Sequence, residues 1–386
     1  MKTYKILFLA ILIVTLSSCH KEELEFHPTE PRLQKTGFKG NLENLPTFER
    51  ENCFYLRNEG KVLNYPRTES RATVNFQGQI WTLALNTAKA SGNSAGTAEI
   101  WSSNEGQKWK LRKTNPFSGR KYASLVVHNN RLWMIGGVNG ADQYLRDIWS
   151  SANGIDWVTE SFVAPFTLGN RVGGRVTTFR NKLFVVKRSY PNTEVTVYSS
   201  KDGRRWDLDT ADALGTIGSF DVHDFEAIVF NNTLNIIAII NGGRERKMIF
   251  RTTNGSDWHN LQFESRPIVP TRYAHQDRLR GTEGGSVTEY KGLVWHIGGT
   301  QSHYDILNRI WYSSDMQTWT EYSPKGKSGS TIHKIKAPHL VNHTALPFDD
   351  RLLIFGGGTG KLVMDYSPNP NVWSIYEDCI VELTLQ

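Results

Sequence analysis

The stretch Trp149-Ser150-Ser151-Ala152-Asn153-Gly154-Ile155-Asp156-Trp157 has the composition of a tight hairpin turn held between two aromatic anchors. Serine and asparagine two positions apart can close a turn with their side chains, the following glycine supplies a positive φ, and the flanking rings can pack on neighbouring sheets. The pattern returns, with the same eight-residue offset between aromatics, at Trp101 to Trp109, Tyr198 to Trp206, Phe250 to Trp258 and Trp311 to Trp319. Ser103, Ser151, Ser200, Thr252 and Ser313 hold the hydroxyl position, and Glu105, Asn153, Asp202, Asn254 and Asp315 the acid or amide. Gly106, Gly154, Gly203 and Gly255 follow, and Met316 replaces glycine in the fifth copy. A blurred sixth copy opens at Trp373-Ser374, with Val381 standing for the second aromatic.

Upstream of each copy lies a polar start, an alternating strand, a short turn and an apolar strand often ending in Gly-Gly, as in 120–137, 284–299 and 342–357. Copies starting at 101, 149, 198, 250, 311 and 373 are spaced by 48, 49, 52, 61 and 62 residues. Each unit therefore predicts four short antiparallel strands, and six such units predict an all-β protein, a six-bladed β-propeller of four-stranded antiparallel blades. The blades are expected near 65–112, 117–160, 170–209, 220–262, 282–322 and 340–386, within a domain spanning 51–386. Closing the ring would protect edge strands that otherwise invite aggregation.

Gly-Gly with spaced aromatics resembles the kelch repeat, in the superfamily that includes the central domain of galactose oxidase, and the likeness covers roughly 320 residues. The hairpin motif is similar to the Asp-box of sialidases, although the serine-to-aromatic spacing there is one residue longer than Ser103 to Trp109. In families that carry it the Asp-box is a structural turn, so this resemblance implies fold and not chemistry. The copper-radical chemistry of galactose oxidase needs a cysteine cross-linked to tyrosine, and the cysteines here lie outside the repeats.

Lys2 and Lys5 precede nine apolar residues, Ile6 to Val14, and then Leu16-Ser17-Ser18-Cys19. Nine residues are too few to span a bilayer as a helix but suit the core of a signal peptide over 1–18. The ending resembles a bacterial lipobox, which implies lipid attachment at Cys19 and a membrane partner through that anchor. His20-Lys21-Glu22-Glu23 are similar to the export signal of Bacteroidetes surface lipoproteins, so an outer-membrane, surface-exposed location is expected. Residues 19–50, with Pro28 and Pro31, read as a tether.

Net charge is +7, yet the densest basic patch, Arg244-Glu245-Arg246-Lys247, is interrupted, which disfavours nucleic acid as a partner. Cys53 and Cys379 bracket the folded part, and in an oxidising compartment they form a candidate disulfide joining its ends.

A propeller binds on the face built by loops between second and third strands and by connections between blades. The connection 260–281 is unusually polar, with Arg272, Tyr273 and Arg280. Polar residues at the starts of innermost strands are Arg71, Arg120, Arg171, Arg175, His223, Glu226, Glu283 and His343, a mixed set able to hold an anionic sugar or peptide. The twelve tryptophans all fall at structural positions of the repeat, leaving Tyr144, Tyr190, Tyr273, Tyr304 and Phe166 as candidate stacking platforms. Histidine pairs lack a third ligand at useful spacing, so neither a metal nor a cofactor is expected. The function expected is recognition of a glycan or protein ligand without catalysis. The alternative is a glycan-processing enzyme of sialidase or sialic-acid epimerase type, which would use an arginine cluster with Glu226 or Glu283.

Overall fold

A computed structural model describes residues 37–38, 54–64, 72–87, 96–168, 174–188, 194–215, 221–241, 246–261, 284–301, 305–328, 331–361, 367–377 and 379–380. Contacts divide the chain into two compact units, Asn58–Ser323 with Lys336–Ser374, and Met1–Arg57 with Pro324–Ile335 and Ile375–Gln386.

The larger unit is built on blades of four antiparallel strands. The first blade runs Thr73–Phe76, Gln79–Asn86, Thr97–Ser103, Lys110–Ser118, and the second Ser124–His128, Arg131–Ile135, Ile148–Ser151, Trp157–Ser161. The third runs Gly174–Phe179, Lys182–Arg188, Val195–Ser200, Asp207–Thr210, and the fourth Asp221–Phe230, Thr233–Asn241, Arg246–Thr252, His259–Leu261. The fifth is Ser286–Tyr290, Leu293–Ile297, Ile310–Ser313, Thr320–Glu321. The sixth takes its inner three strands from Thr344–Phe348, Arg351–Phe355 and Asn371–Glu377, and its outer strand from Phe54–Lys61, far upstream in the chain. The repeat pattern had pointed to the vicinity of Val381 for that strand. The inner strands of successive blades touch one another in turn, and the sixth touches the first, so six blades close a ring.

Apolar side chains are buried between blades. Trp81, Leu83 and Ile100 of the first blade share a cluster with Leu125, Leu132 and Met134 of the second. Trp133, Ile135 and Ile148 meet Leu183 and Val185, and Phe184 and Val197 meet Phe225, Leu234 and Phe250. At ring closure Phe348, Leu353 and Phe355 meet Ile80 and Trp109. Each fully buried side chain of this size contributes about 1.5–3 kcal/mol relative to exposure, which is why alternating strands specify this stacking.

The repeated hairpin is a hydrogen-bonded device. Its hydroxyl accepts from the backbone N–H three residues on, at 2.9 Å from Gly106 to Ser103, 2.9 Å from Gly154 to Ser151, 2.8 Å from Gly203 to Ser200, 3.0 Å from Gly255 to Thr252 and 2.7 Å from Met316 to Ser313. The Oδ1 atoms of Asn153, Asp202, Asn254 and Asp315 each accept from two further N–H groups. The closing indole then donates to the carbonyl oxygen of the glycine position, from Trp109 to Gly106 at 2.8 Å and from Trp319 to Met316 at 3.1 Å. Gly154, with φ of 76°, lies against Trp81 of the preceding blade, where a β-carbon would approach the ring to 2.3 Å.

Met316 is tolerated because the preceding blade differs. Asn235 occupies the strand position held by Trp81, Trp133 and Phe184 in the first three blades. The space goes to the Met316 side chain, fully buried with Ile237 and Ile249, while Arg251 bridges Asn235 Oδ1 at 2.8 Å to the Asp315 carbonyl at 3.1 Å.

The smaller unit holds the hairpin Lys325–Ser328 with Thr331–Lys334 and the antiparallel pair Gly37–Phe38 with Cys379–Ile380. Tyr55 and Tyr376 rings lie 5.8 Å apart, with Arg57 over Tyr376 at 4.9 Å. Cys19 and Cys53 lie outside the described residues, as does the Cys379 side chain.

Candidate binding face

In a four-stranded meander the loop between strands two and three and the connection to the next blade emerge on one face. Backbone hydrogen bonds tie these segments together around the second blade: Gly137 N–H to the Leu168 carbonyl at 2.9 Å, Lys121 N–H to Val138 at 2.9 Å, and Ala164 N–H to Arg146 at 2.8 Å. The same face of the fifth and sixth blades carries Gly299 N–H to Leu340 and Ile306 N–H to Lys361, at 2.8 and 2.9 Å.

Arg71, Arg171, Arg272, Tyr273, Arg280 and Glu283 lie outside the described residues, and of His223 only the strand backbone is described. The others separate into distinct environments. Arg120 is buried, and all five of its N–H donors are used: Nε and one terminal nitrogen bond the Ser118 carbonyl and hydroxyl, and the remaining bonds go to the Gly136 carbonyl and both Asp147 oxygens. Asp147 also accepts the Trp149 indole N–H at 2.7 Å. Burial pushes the Asp147 carboxyl up, but Arg120 and Trp149 outweigh it and hold the group below the ordinary carboxylate range. Arg120 thus braces the framework and has no donor left for a ligand.

Arg175 and Glu226 occupy matching positions on the inner strands of the third and fourth blades and meet in a bidentate pair, at 2.7 and 3.0 Å. Arg175 also donates to Asp224 Oδ1 at 3.1 Å. Burial works against the guanidinium charge, but Glu226 and Asp224 outweigh it and hold its proton more firmly than water does. A bulge between Val222 and Asp224 re-aims this strand, an arrangement sequence periodicity does not reveal. Two carboxylates and one arginine therefore converge, chiefly on one another. His343 is buried, and its carbonyl accepts the Ser286 hydroxyl at 2.6 Å, which joins the fifth and sixth blades.

Of the candidate platforms, Phe166 is buried against Trp206 and Tyr198, with centroids 4.8 and 5.3 Å away, which removes it from the surface. Tyr190 and Tyr304 lie outside the described residues. Tyr144 is 48 % exposed, and Phe162 and Val163 are 76 % and 67 % exposed. The last two were missed because sequence alone does not show which residues of that connection face water: its Phe166 was named and is buried, while Phe162 is exposed. Next to Tyr144 in the chain, Leu145 lines a cleft of about 590 Å³ with Gly96, Asn115, Phe117, Ser118, Gly119 and Asn139, between the first and second blades. Among the described residues no three His, Cys, Asp or Glu side chains converge as metal ligands would.

These features define a six-bladed β-propeller with a structured loop face. The chain belongs to the DUF6242 beta propeller domain family, which matches residues 167–369. No curated protein matches it. Among solved structures it is similar to the one titled "Structure of YjhT", at 13 % identity and a TM-score of 0.55, over 84 % of this chain and 97 % of that one, a likeness of fold.

Proposed function

We propose that this chain is a lipid-anchored, surface-exposed bacterial protein whose propeller recognises a glycan or protein ligand on its loop face without catalysing a reaction. The observation that carries the binding reading is the group Tyr144, Phe162 and Val163: the last two are the most exposed large apolar side chains among the described residues, and Tyr144 adjoins Leu145 in the lining of a cleft. Rigid loops presenting exposed rings beside polar groups are the means by which binding faces gain contact area at low entropic cost. The lipobox-like ending Leu16-Ser17-Ser18-Cys19 is what supports the anchor at Cys19.

The test has two arms. Labelled palmitate should enter the wild-type chain and not Cys19→Ser, and protease added to intact cells should cleave the wild type. Screening the full chain against glycans and surface proteins should find a ligand whose affinity falls about tenfold in Phe162→Ala, as for loss of an aromatic anchor. An unlabelled, protease-protected protein, or a ligand indifferent to Phe162, would overturn the reading.

A second reading, a glycan-processing enzyme of sialidase or sialic-acid epimerase type, draws on the convergence of Asp224 and Glu226 at Arg175. Turnover or anomer interconversion of sialosides, abolished in Glu226→Gln, would establish it in place of the first.

A further inference from the structure

The cleft between the first and second blades has a chemistry specific enough to name a ligand class, given the binding reading above. Its floor is formed where Gly96 and Gly119 approach so closely that a β-carbon on Gly119 would lie 1.9 Å from the Gly96 carbonyl oxygen. Its walls are Phe117 and Leu145, with the amides of Asn115 and Asn139 and the Ser118 hydroxyl. Small floor, amide and hydroxyl groups and an apolar wall suit a hydroxyl-rich ring.

Charge adds a second requirement. Arg146 follows the lining residue Leu145 and is exposed. Its Nε donates to the Ala164 carbonyl at 2.6 Å, and Ala164 N–H returns a bond to the Arg146 carbonyl at 2.8 Å. That reciprocal pair fixes the guanidinium and holds the segment carrying Phe162 and Val163 against Arg146, the residue after the lining Leu145. The four terminal N–H donors of Arg146 make no hydrogen bond among the described residues. Lys113, exposed, lies two residues from Asn115, and Lys121 two residues from Gly119. Of the nearby carboxylates, Asp147 is committed to Arg120, while Asp142 is exposed on the loop itself.

We propose that this cleft binds an acidic carbohydrate, with Arg146 taking its carboxylate or sulfate group and Tyr144 and Phe162 taking a sugar face. A planar guanidinium matches either anion bidentately. An acidic peptide fits less well, because the strand Lys110–Ser118 leading into the cleft is broken by two register shifts that interrupt strand addition.

Titration of the purified full chain with oligogalacturonate, a sulfated oligosaccharide, a neutral oligosaccharide of equal length and polyglutamate tests this. One acidic sugar should bind, and which one separates carboxylate from sulfate as the source of the anion. Arg146→Ala should weaken it about tenfold or more, with Arg146→Lys recovering only part and Arg204→Ala, whose guanidinium is already paired with Glu160 at 2.7 Å, leaving binding unchanged. Unchanged melting temperatures would confirm that the variants fold. Equal binding by Arg146→Ala, or binding of polyglutamate or the neutral sugar as tight as that of the acidic one, overturns the acidic-carbohydrate assignment. In that case a Phe162-dependent ligand of another kind leaves the broader binding reading standing. Binding of none of the four probes overturns the assignment.

Discussion

Gly154 in the second blade sits so near the Trp81 ring of the first that a β-carbon would come within 2.3 Å of it, and the same relation holds between Gly203 and Trp133 at 2.0 Å. The glycine of the repeated turn is thus chosen twice, once by its φ of 76° and once by its neighbour. Gly154→Ala should lower stability by about 2–4 kcal/mol, combining overpacking with a strained φ. Met316 shows the compensating arrangement, with Asn235 where a ring would stand. Pairing Gly154→Ala with Trp81→Leu should recover part of the loss, and a denaturant double-mutant cycle reads the coupling. Additive effects would count against the contact as its cause.

Met316→Gly tests the other side of that exchange. Its side chain is fully buried, so removal should cost about 2–5 kcal/mol, offset by about 1 kcal/mol from relief of the φ of 66°. Thermal unfolding should therefore show net destabilisation, although the substitution restores the consensus of the repeat.

Ring closure yields a prediction from Glu59. Its carboxylate accepts the Ser374 hydroxyl and pairs with Arg351 at 3.3 Å, joining three strands of the sixth blade. The second blade repeats this with Arg131, Ser150 and Glu160, where Ser150 donates to Glu160 at 2.6 Å. Glu59→Ala should cost about 1–3 kcal/mol and raise hydrogen exchange first at 351–355 and 371–374. Uniform exchange changes across the ring would show that the strand is not a local latch.

That correspondence also explains what was legible in the sequence. Side chains that build a turn must sit at fixed offsets, so Ser151, Asn153 and Trp157 announced their hairpin and its repetition announced the ring. The outer strand of the sixth blade left no such trace, because Phe54–Lys61 ends forty residues before the first hairpin motif opens at Trp101 and has Leu56 where a closing aromatic would stand. One signal was available: Glu160 and Asp209 each follow a closing tryptophan by three residues, and Glu59 is the upstream acid that takes their place. The site was less legible. A polar residue at a strand start looks the same whether it faces a ligand or, like Arg120, spends every donor on the framework.

Arg175→Met isolates the ionic group of the third and fourth blades. Asp224 and Glu226 would lose the guanidinium they share, at side-chain exposures of 4 % and 21 %. Breaking such a pair costs about 3–5 kcal/mol. With Arg175 gone, the two neighbouring carboxyls would bind protons more tightly in the folded state than they do in the wild type, so the penalty should shrink as pH falls from about 7.5 to about 5. A penalty independent of pH would mean that lost packing over Phe225, 5.4 Å from the guanidinium, dominates.

The opposite sign is expected of Asp147 and Glu160 in the wild type. Burial raises both, but Arg120 in one case, and Ser150 with Arg204 and Arg131 in the other, bring each below its ordinary range. A depressed carboxyl contributes stability that is fully present above its unfolded value, about 4, and is lost as pH falls through the folded one. Melting temperature should therefore drop steeply below about pH 4. Asp147→Asn should flatten part of that drop while costing about 3–5 kcal/mol at neutral pH, because the Arg120 charge, on a side chain with no exposure, loses its counter-ion. An acid limb as steep in Asp147→Asn as in the wild type would place the transition on other carboxylates and leave the Arg120 pair with a packing role alone.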